Sequence, residues 1–256
     1  MPNSRKNILS IVLPCFNEER AIRPALRALV ARSVVLAGRA GVDAVELIVV
    51  DDGSTDGSAA ELGRFADSVR VVAHPRRRGY GAALKTGFAA ASGEYIGFFD
   101  IDATYEPFDL VPMLERLRRE NVALVVGNRL GDLRNMPITR RVGNLLFRSL
   151  ISLLYGCVSE DACSGLRVFR RASLAAFTTD LPDQLNYSLA MSLRSMRAGI
   201  GYAEIPIRYY RRVGPSKLNV PKDGFRFLLT ILWYRLRRHP RAESHRQSVI
   251  AGAPGK

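Results

Sequence analysis

Apolar residues along this chain fall into short blocks that alternate between two spacings. Residues 8–13, 45–50, 69–73, 95–99 and 123–126 are compact apolar runs of the kind that form buried strands. Between them the spacing lengthens to that of helices. Residues 20–32 place Ile22, Leu26, Leu29, Val30 and Ser33 on one face, and residues 55–65 carry Asp56 and Glu61 near their start. Residues 81–91 form a helix of small residues, and Pro107 suits the first turn of a helix running to about Arg119. Strands separated by helices of this length predict an α/β fold with a mainly parallel sheet and right-handed crossovers.

Past Gly127 the pattern loosens. Residues 128–138 read as a polar loop and 139–155 as a helix that is both basic and apolar. A strand is expected at 166–169, a helix at 186–198 closed by Gly199, and a strand at 202–209. Residues 223–238 form an amphipathic helix, and 239–256 read as a disordered tail. No internal repeat or low-complexity segment occurs.

Composition narrows the class. With 256 residues, 47% hydrophobic and 24% charged, the chain is globular and large enough for one α/β core. Its apolar runs are far shorter than the ~18–20 residues that cross a bilayer. No secretory signal fits, because 8–13 is short and Pro14-Cys15-Phe16-Asn17-Glu18-Glu19 follows at once. Cys15, Cys157 and Cys163 have no metal spacing and suit a reducing compartment.

The formal charge is +14, carried by 33 arginines and only five lysines. Bidentate phosphate recognition and the codon usage of a GC-rich genome both account for that preference. The distribution says more: residues 205–246 hold 11 basic and two acidic residues. Such a segment faces a polyanion, whether nucleic acid, anionic lipid or a diphosphate.

Four stretches carry candidate chemistry. Val50-Asp51-Asp52-Gly53-Ser54-Thr55 ends a strand in two carboxylates, where open parallel sheets bind ligands. An ordinary turn capped by Ser54 or Thr55 has the same appearance. Phe99-Asp100-Ile101-Asp102 puts two carboxylates on one face, and they repel unless a cation lies between them. Mg²⁺ takes one or two such carboxylates plus phosphate oxygens. Arg212, Gly214, Ser216 and Lys217 could cradle a diphosphate or form a solvated basic turn. In the fourth stretch, Gly79–Gly87, small residues permit close approach of a ligand or of a neighbouring element. His74, His239 and His245 read as structural or solvent-exposed, without metal or triad partners.

Taken in order, these stretches resemble the family 2 glycosyltransferases, within them the dolichyl-phosphate mannose synthase-like branch. Leu13-Pro14 through Glu19, Asp51–Asp56, Gly79–Gly87, Asp100-Ile101-Asp102, Gly127-Asn128-Arg129, Ser164-Gly165-Leu166-Arg167 and Ile205–Leu218 carry the likeness, spanning about residues 8–235. It implies a GT-A fold over 1–238, with 8–127 as the nucleotide-sugar half, 128–222 as the acceptor half, and 223–238 as the amphipathic helix. Pro14, Glu18 and Asp52 would hold the nucleoside, with Lys85 also on the donor side. Asp100 and Asp102 would bind Mg²⁺ or Mn²⁺. Arg212, Ser216 and Lys217 would meet the diphosphate, and Arg129 and Arg141 the acceptor phosphate. Thr104 stands where relatives often have a Gln near the metal, and Arg78 replaces their usual Asn. The C-terminal membrane-spanning helices of some relatives have no counterpart in these residues.

The implied activity is inverting transfer of a hexose, mannose favoured, from GDP-mannose or a UDP-hexose to a polyprenyl phosphate. The implied location is the cytoplasmic face of a membrane, held peripherally by residues 140–154 and 225–238 on an anionic surface. Relatives with hydroxyl acceptors carry a Glu-Asp pair where this chain has Tyr187 and Ser188, and no acid lies between Gln184 and Ile200. A phosphate monoester is largely ionised at neutral pH and needs no general base. A hydroxyl acceptor and a non-enzymatic basic binding module are the rival readings. Nucleic acid is not expected, since carboxylate pairs repel a phosphate backbone unless metal-loaded.

Overall fold

The computed structural model describes residues 7–131, 134–156 and 159–237. The expected tail at 239–256, with His239 and His245, and Cys157 lie outside them. Seven strands form one sheet: β1 Ile8–Cys15, β2 Ala44–Asp51, β3 Arg70–Ala73, β4 Tyr95–Phe98, β5 Leu124–Asn128, β6 Arg167–Arg170 and β7 Tyr202–Pro206. The helices are α1 Glu19–Ala40, α2 Ser58–Gly63, α3 Tyr80–Ala90, α4 Leu110–Arg119, α5 Ile138–Tyr155, α6 Leu174–Thr178, α7 Tyr187–Ala198 and α8 Val220–Leu236.

The sheet order is β3-β2-β1-β4-β6-β5-β7. Neighbours are parallel except that β6 runs antiparallel to both β4 and β5. The mainly parallel α/β expectation therefore holds. Period-two alternation builds two apolar layers. Leu9, Ile11 and Leu13 face α1 and α4, whose Leu26, Leu29, Leu114 and Leu117 complete one cluster. Val12, Ile48 and Val50 face the other way, toward Leu84 and Phe88 of α3 and Leu189 and Met191 of α7.

Several boundaries differ from those the sequence predicts. Helix α1 runs on to Ala40 and stops at Gly41, whose φ of 61° is left-handed. The 107–119 helix opens with a 3-10 turn, Pro107–Asp109, before α4. Strand β7 ends at Pro206, leaving 207–219 as an irregular strap. Helix α8 begins at Val220, where the Asn219 side chain accepts from the Lys222 amide at 3.1 Å. Tight packing accounts for the small residues of α3. A Cβ at Gly87 would sit 2.2 Å from Val12 Cγ1, and one at Gly81 2.3 Å from the Pro182 carbonyl.

Candidate active site

Strands β1, β2 and β4 are mutually parallel, so their carboxyl ends lie at one edge of the sheet. There a cavity of about 340 Å³ gathers Pro14, Glu18, Asp52, Asp100, Asp102, Arg129, Arg212, Ser216 and Lys217. Nine of the positions singled out from sequence thus meet, although they are spread from residue 14 to 217. Lys85 and Arg141 do not line this cavity. Lys85 donates instead to Asp183 Oδ1 at 2.9 Å and to the Leu181 carbonyl, pinning the segment ahead of α7. Arg141 Nε donates to the Met136 carbonyl at 2.7 Å. Its neighbour Arg140 turns into the cavity, donating to Ser216 Oγ at 2.5 Å and Tyr209 Oη at 3.3 Å.

Asp102 is buried. Its Oδ1 accepts from Thr104 Oγ1 at 2.6 Å and Thr104 N at 3.1 Å, and its Oδ2 pairs with Arg212. Thr104 therefore orients the carboxylate. Asp100 is pushed up to about 6 by burial and by the Asp102 charge beside it. A divalent cation between the two would relieve both effects, so the donor chemistry fits one. Gly165 keeps the space clear, since a Cβ there would lie 3.3 Å from Asp100 Oδ2 and 3.1 Å from the Tyr105 hydroxyl. Among the described residues no third acid, His or Cys completes a cluster, which leaves the remaining ligand positions to phosphate oxygens and water.

The strap 207–219 supplies the cations. The Val213 amide donates to the Asp102 carbonyl at 2.9 Å and the Tyr210 amide to the Thr104 carbonyl at 3.0 Å. Arg212 bridges Asp102 and Glu18, and Lys217 donates to Glu18 and to the Asn17 carbonyl at 2.7 Å. Gly214 turns the strap with a φ of 83°.

Asp52 is also engaged. His74 Nδ1 lies 2.7 Å from its Oδ1, and the Arg78 and Gly79 amides donate at 2.8 Å each. His74 is thus a buried strut, its other nitrogen 2.9 Å from Thr86. Phe16 lines the cavity under the Arg77 guanidinium, 4.2 Å from the ring centroid.

On the far side, Arg129 forms a bidentate pair with Asp161, Nε–Oδ2 2.8 Å and Nη2–Oδ1 2.9 Å, and its own amide donates to Oδ2 at 3.0 Å. Burial pushes that guanidinium down, and the Asp161 carboxylate outweighs it, so the group ends well above its ordinary value. Glu204 holds the Asp161 loop by accepting from Ser159 Oγ at 2.6 Å and from the Glu160 and Asp161 amides at 3.0 and 3.1 Å. The cavity wall also contains Asn144, Phe147, Asp223 and Phe227 of α5 and α8, with Tyr80, Tyr105 and Tyr209. None of these was singled out for chemistry from sequence. Phe147 and Phe227 lie in the segments expected at the membrane, Tyr80 and Tyr209 lie in quoted stretches without a role of their own, and Asn144 carries no motif.

Comparisons with known proteins agree with this geometry. Residues 10–177 match the family model Glycosyl transferase family 2. The chain is 30% identical to glycosyltransferase AglD of Haloferax volcanii over 95% of its length, but spans only 40% of that protein. It is also 30% identical to a dolichyl-phosphate hexose transferase of the same organism, over 82% of this chain and 86% of that one. Among solved structures it superposes on glucosyl-3-phosphoglycerate synthase from Mycobacterium tuberculosis in complex with Mn²⁺, UDP and phosphoglyceric acid. That match has a TM-score of 0.69 and 26% identity, covering 92% of this chain and 80% of that one. The sheet and its flanking helices are of the GT-A type.

Proposed function

The chain belongs to glycosyl transferase family 2, and from that premise we propose that it is an inverting transferase. It moves a hexose, mannose favoured, from a nucleoside diphosphate sugar to a polyprenyl phosphate at the cytoplasmic face of a membrane. The observation that carries the acceptor assignment is the state of the carboxylates in the cavity. Glu18, Asp52, Asp102 and Asp223 all line it, and each already accepts from protein donors. Asp100 is the fifth, and its place beside Asp102 fits it to a Mg²⁺ or Mn²⁺ ion. Asp183, the nearest acid ahead of α7, pairs with Lys85 away from the cavity. Among the described residues no carboxylate of the cavity is left without a protein donor or the cation to take a proton from an alcohol, whereas an ionised phosphate needs none.

The rest of the chemistry is placement and charge. When bound, the cation neutralises the donor diphosphate as negative charge grows on it. Arg212 and Lys217 keep Asp102 and Glu18 as partners, turn their remaining N–H groups to phosphate oxygens as the donor enters, and stabilise the leaving diphosphate. Arg140 and Arg129, which also line the cavity, are the cations assigned to the acceptor phosphate. Its oxygen attacks the anomeric carbon opposite the bond to the diphosphate, and the bonding pair of that bond departs with the diphosphate. In this reading residues 8–127 serve the donor and 128–222 the acceptor, except that the strap 207–219 reaches back to the donor diphosphate through Arg212 and Lys217.

Helices α5 and α8 support membrane association. No helix of the described residues is long and apolar enough to cross a membrane. The stripe Phe225, Leu228, Leu229, Leu232, Trp233 and Leu236 does not pack on the sheet; Phe225 is 63% and Leu236 81% exposed. Ile231 and Tyr234 form the buried side of α8 instead. Arg226, Arg235 and Arg237 flank the exposed stripe.

The test is transfer from GDP- and UDP-hexoses to a polyprenyl phosphate and to the matching free polyprenol, with and without chelator. Transfer to the phosphate alone, lost on chelation, is the expected result. Equal or better transfer to the alcohol or to a sugar hydroxyl would refute the acceptor assignment.

A further inference from the structure

Helices α5 and α8 pack against each other, with the ring centroids of Phe147 and Phe227 5.8 Å apart. One turn ahead of each ring stands a glycine, Gly143 on α5 and Gly224 on α8, and both line the catalytic cavity. Neither has a positive φ, and a Cβ at either would meet no atom of the described residues within 4 Å. The backbone and the packing therefore ask for no glycine at these two places, in contrast to Gly81 and Gly87, where a Cβ would overlap a neighbour. Inside a helix glycine is less favourable than alanine, because it gives up more backbone freedom on folding. Each wall of this slot thus carries a residue that weakens its own helix and leaves out a methyl group beside the cavity.

The neighbours of the two glycines indicate what fills the space. Arg140, Gly143 and Phe147 follow one another along one face of α5 at i, i+3 and i+7, and all three line the cavity. Arg140 is a cation assigned above to the acceptor phosphate, and Gly143 lies about 4.5 Å further along the axis. Leu185 and Leu218 extend the apolar part of the wall. Val142 and Phe225, each next in sequence to one of the glycines, are exposed, so the apolar surface continues outward from the slot. A ligand that runs from Arg140 into the slot is anionic at its head and apolar from its first few carbons onward. An isoprenoid chain carries a methyl branch there that a straight alkyl chain lacks, and a missing Cβ leaves room for one methyl group. We propose that Gly143 and Gly224 select the acceptor by admitting the methyl branch of its first isoprene unit between α5 and α8. The assignment rests on the polyprenyl phosphate acceptor argued above and adds the residues that tell a branched chain from a straight one.

Transfer to phytanyl phosphate and to n-hexadecyl phosphate in detergent tests it, because the two share a main chain and differ only in the methyl branches. The unsubstituted chain should favour phytanyl phosphate about tenfold in kcat/KM, and G143A/G224A should bring that ratio down to about one. Gly38 of α1 likewise has open space at its Cβ but lines no part of the cavity, so G38A should keep the ratio of the unsubstituted chain. Alanine favours the helix, so the Tm of G143A/G224A should rise by a few degrees, which separates a narrowed slot from a damaged fold. An unchanged ratio in G143A/G224A, or equal losses on both phosphates, overturns the selection and leaves the polyprenyl phosphate reading standing. An unsubstituted chain that takes n-hexadecyl phosphate as well as phytanyl phosphate does the same. An unsubstituted chain that transfers to neither phosphate but to a free alcohol refutes the acceptor reading and this inference with it.

Discussion

Replacing Asp161 by Ala should cost more stability than any other single truncation around the site. Its carboxylate is fully buried and receives three hydrogen bonds from Arg129 alone, at 2.8, 2.9 and 3.0 Å. Alanine would leave a guanidinium only 11% exposed without its counter-ion, its remaining neighbours being the Tyr105 hydroxyl at 3.5 Å and the Tyr209 ring at 5.6 Å. Removing one partner of a buried pair typically costs about 3–5 kcal/mol, because the survivor stays desolvated and unpaired. For a chain of this size that corresponds to a drop of roughly 6–20 °C in Tm. Urea titrations of D161A, R129L and R129L/D161A form the decisive cycle. The double variant removes both charges and should recover at least about 2 kcal/mol relative to the sum of the singles. A D161A cost below about 1 kcal/mol, or strictly additive singles, would show that the pair is not the strut described.

Three other outcomes are expected. D102N should lose about 10²–10³-fold in turnover and most of its Mn²⁺ affinity by calorimetry, while its far-ultraviolet circular dichroism stays unchanged. G87A should cost about 1–3 kcal/mol by thermal unfolding, because its methyl would overlap Val12 of β1 at 2.2 Å. Burial, then Glu106, push the Asp109 carboxyl up to about 6, against Arg208, so its charge weakens the fold above that pH and the penalty fades as protons return between about 6 and 4. D109N should therefore be more stable than the unsubstituted chain at pH 7.5 and lose that advantage at pH 4.

The strands and most helices were legible because one face of each is buried and the spacing of apolar residues records it. Helix α1 was read two turns short because Val34 and Val35, exposed at 82% and 52%, break its apolar face. Helix α6, five residues long, is too short to show a period. The direction of β6 was not legible at all, since a strand buried on both faces has the same pattern running either way. At the site, the carboxylates at strand ends were found because the backbone places them. Long side chains were harder. Arg140 and Arg141 have equal claims in sequence, and only the register of α5 decides which enters the cavity. Lys85 reaches back to the segment before α7, a contact 98 residues distant. The strut between His74 and Asp52 joins residues whose proximity depends on β2 and β3 lying side by side.

The antiparallel strand has a consequence for synthesis. Strand β4 ends at Phe98 and waits for Arg167–Arg170 as its neighbour, about 70 residues later, and β5 waits for the same strand. At typical elongation rates of about 5–20 residues per second, the newly made β1–β4 half exposes an open edge for several seconds. Both waiting strands are entirely buried in the finished protein, so until β6 emerges each presents unpaired amides beside apolar side chains. A ribosome-bound chain halted before residue 166 should bind chaperones and cross-link to other nascent chains, and one halted once residues 167–170 have cleared the exit tunnel should do so markedly less. The insertion of β6 between β4 and β5 thus ends the interval in which the middle of the sheet lies open, leaving one edge of β5 to wait for β7.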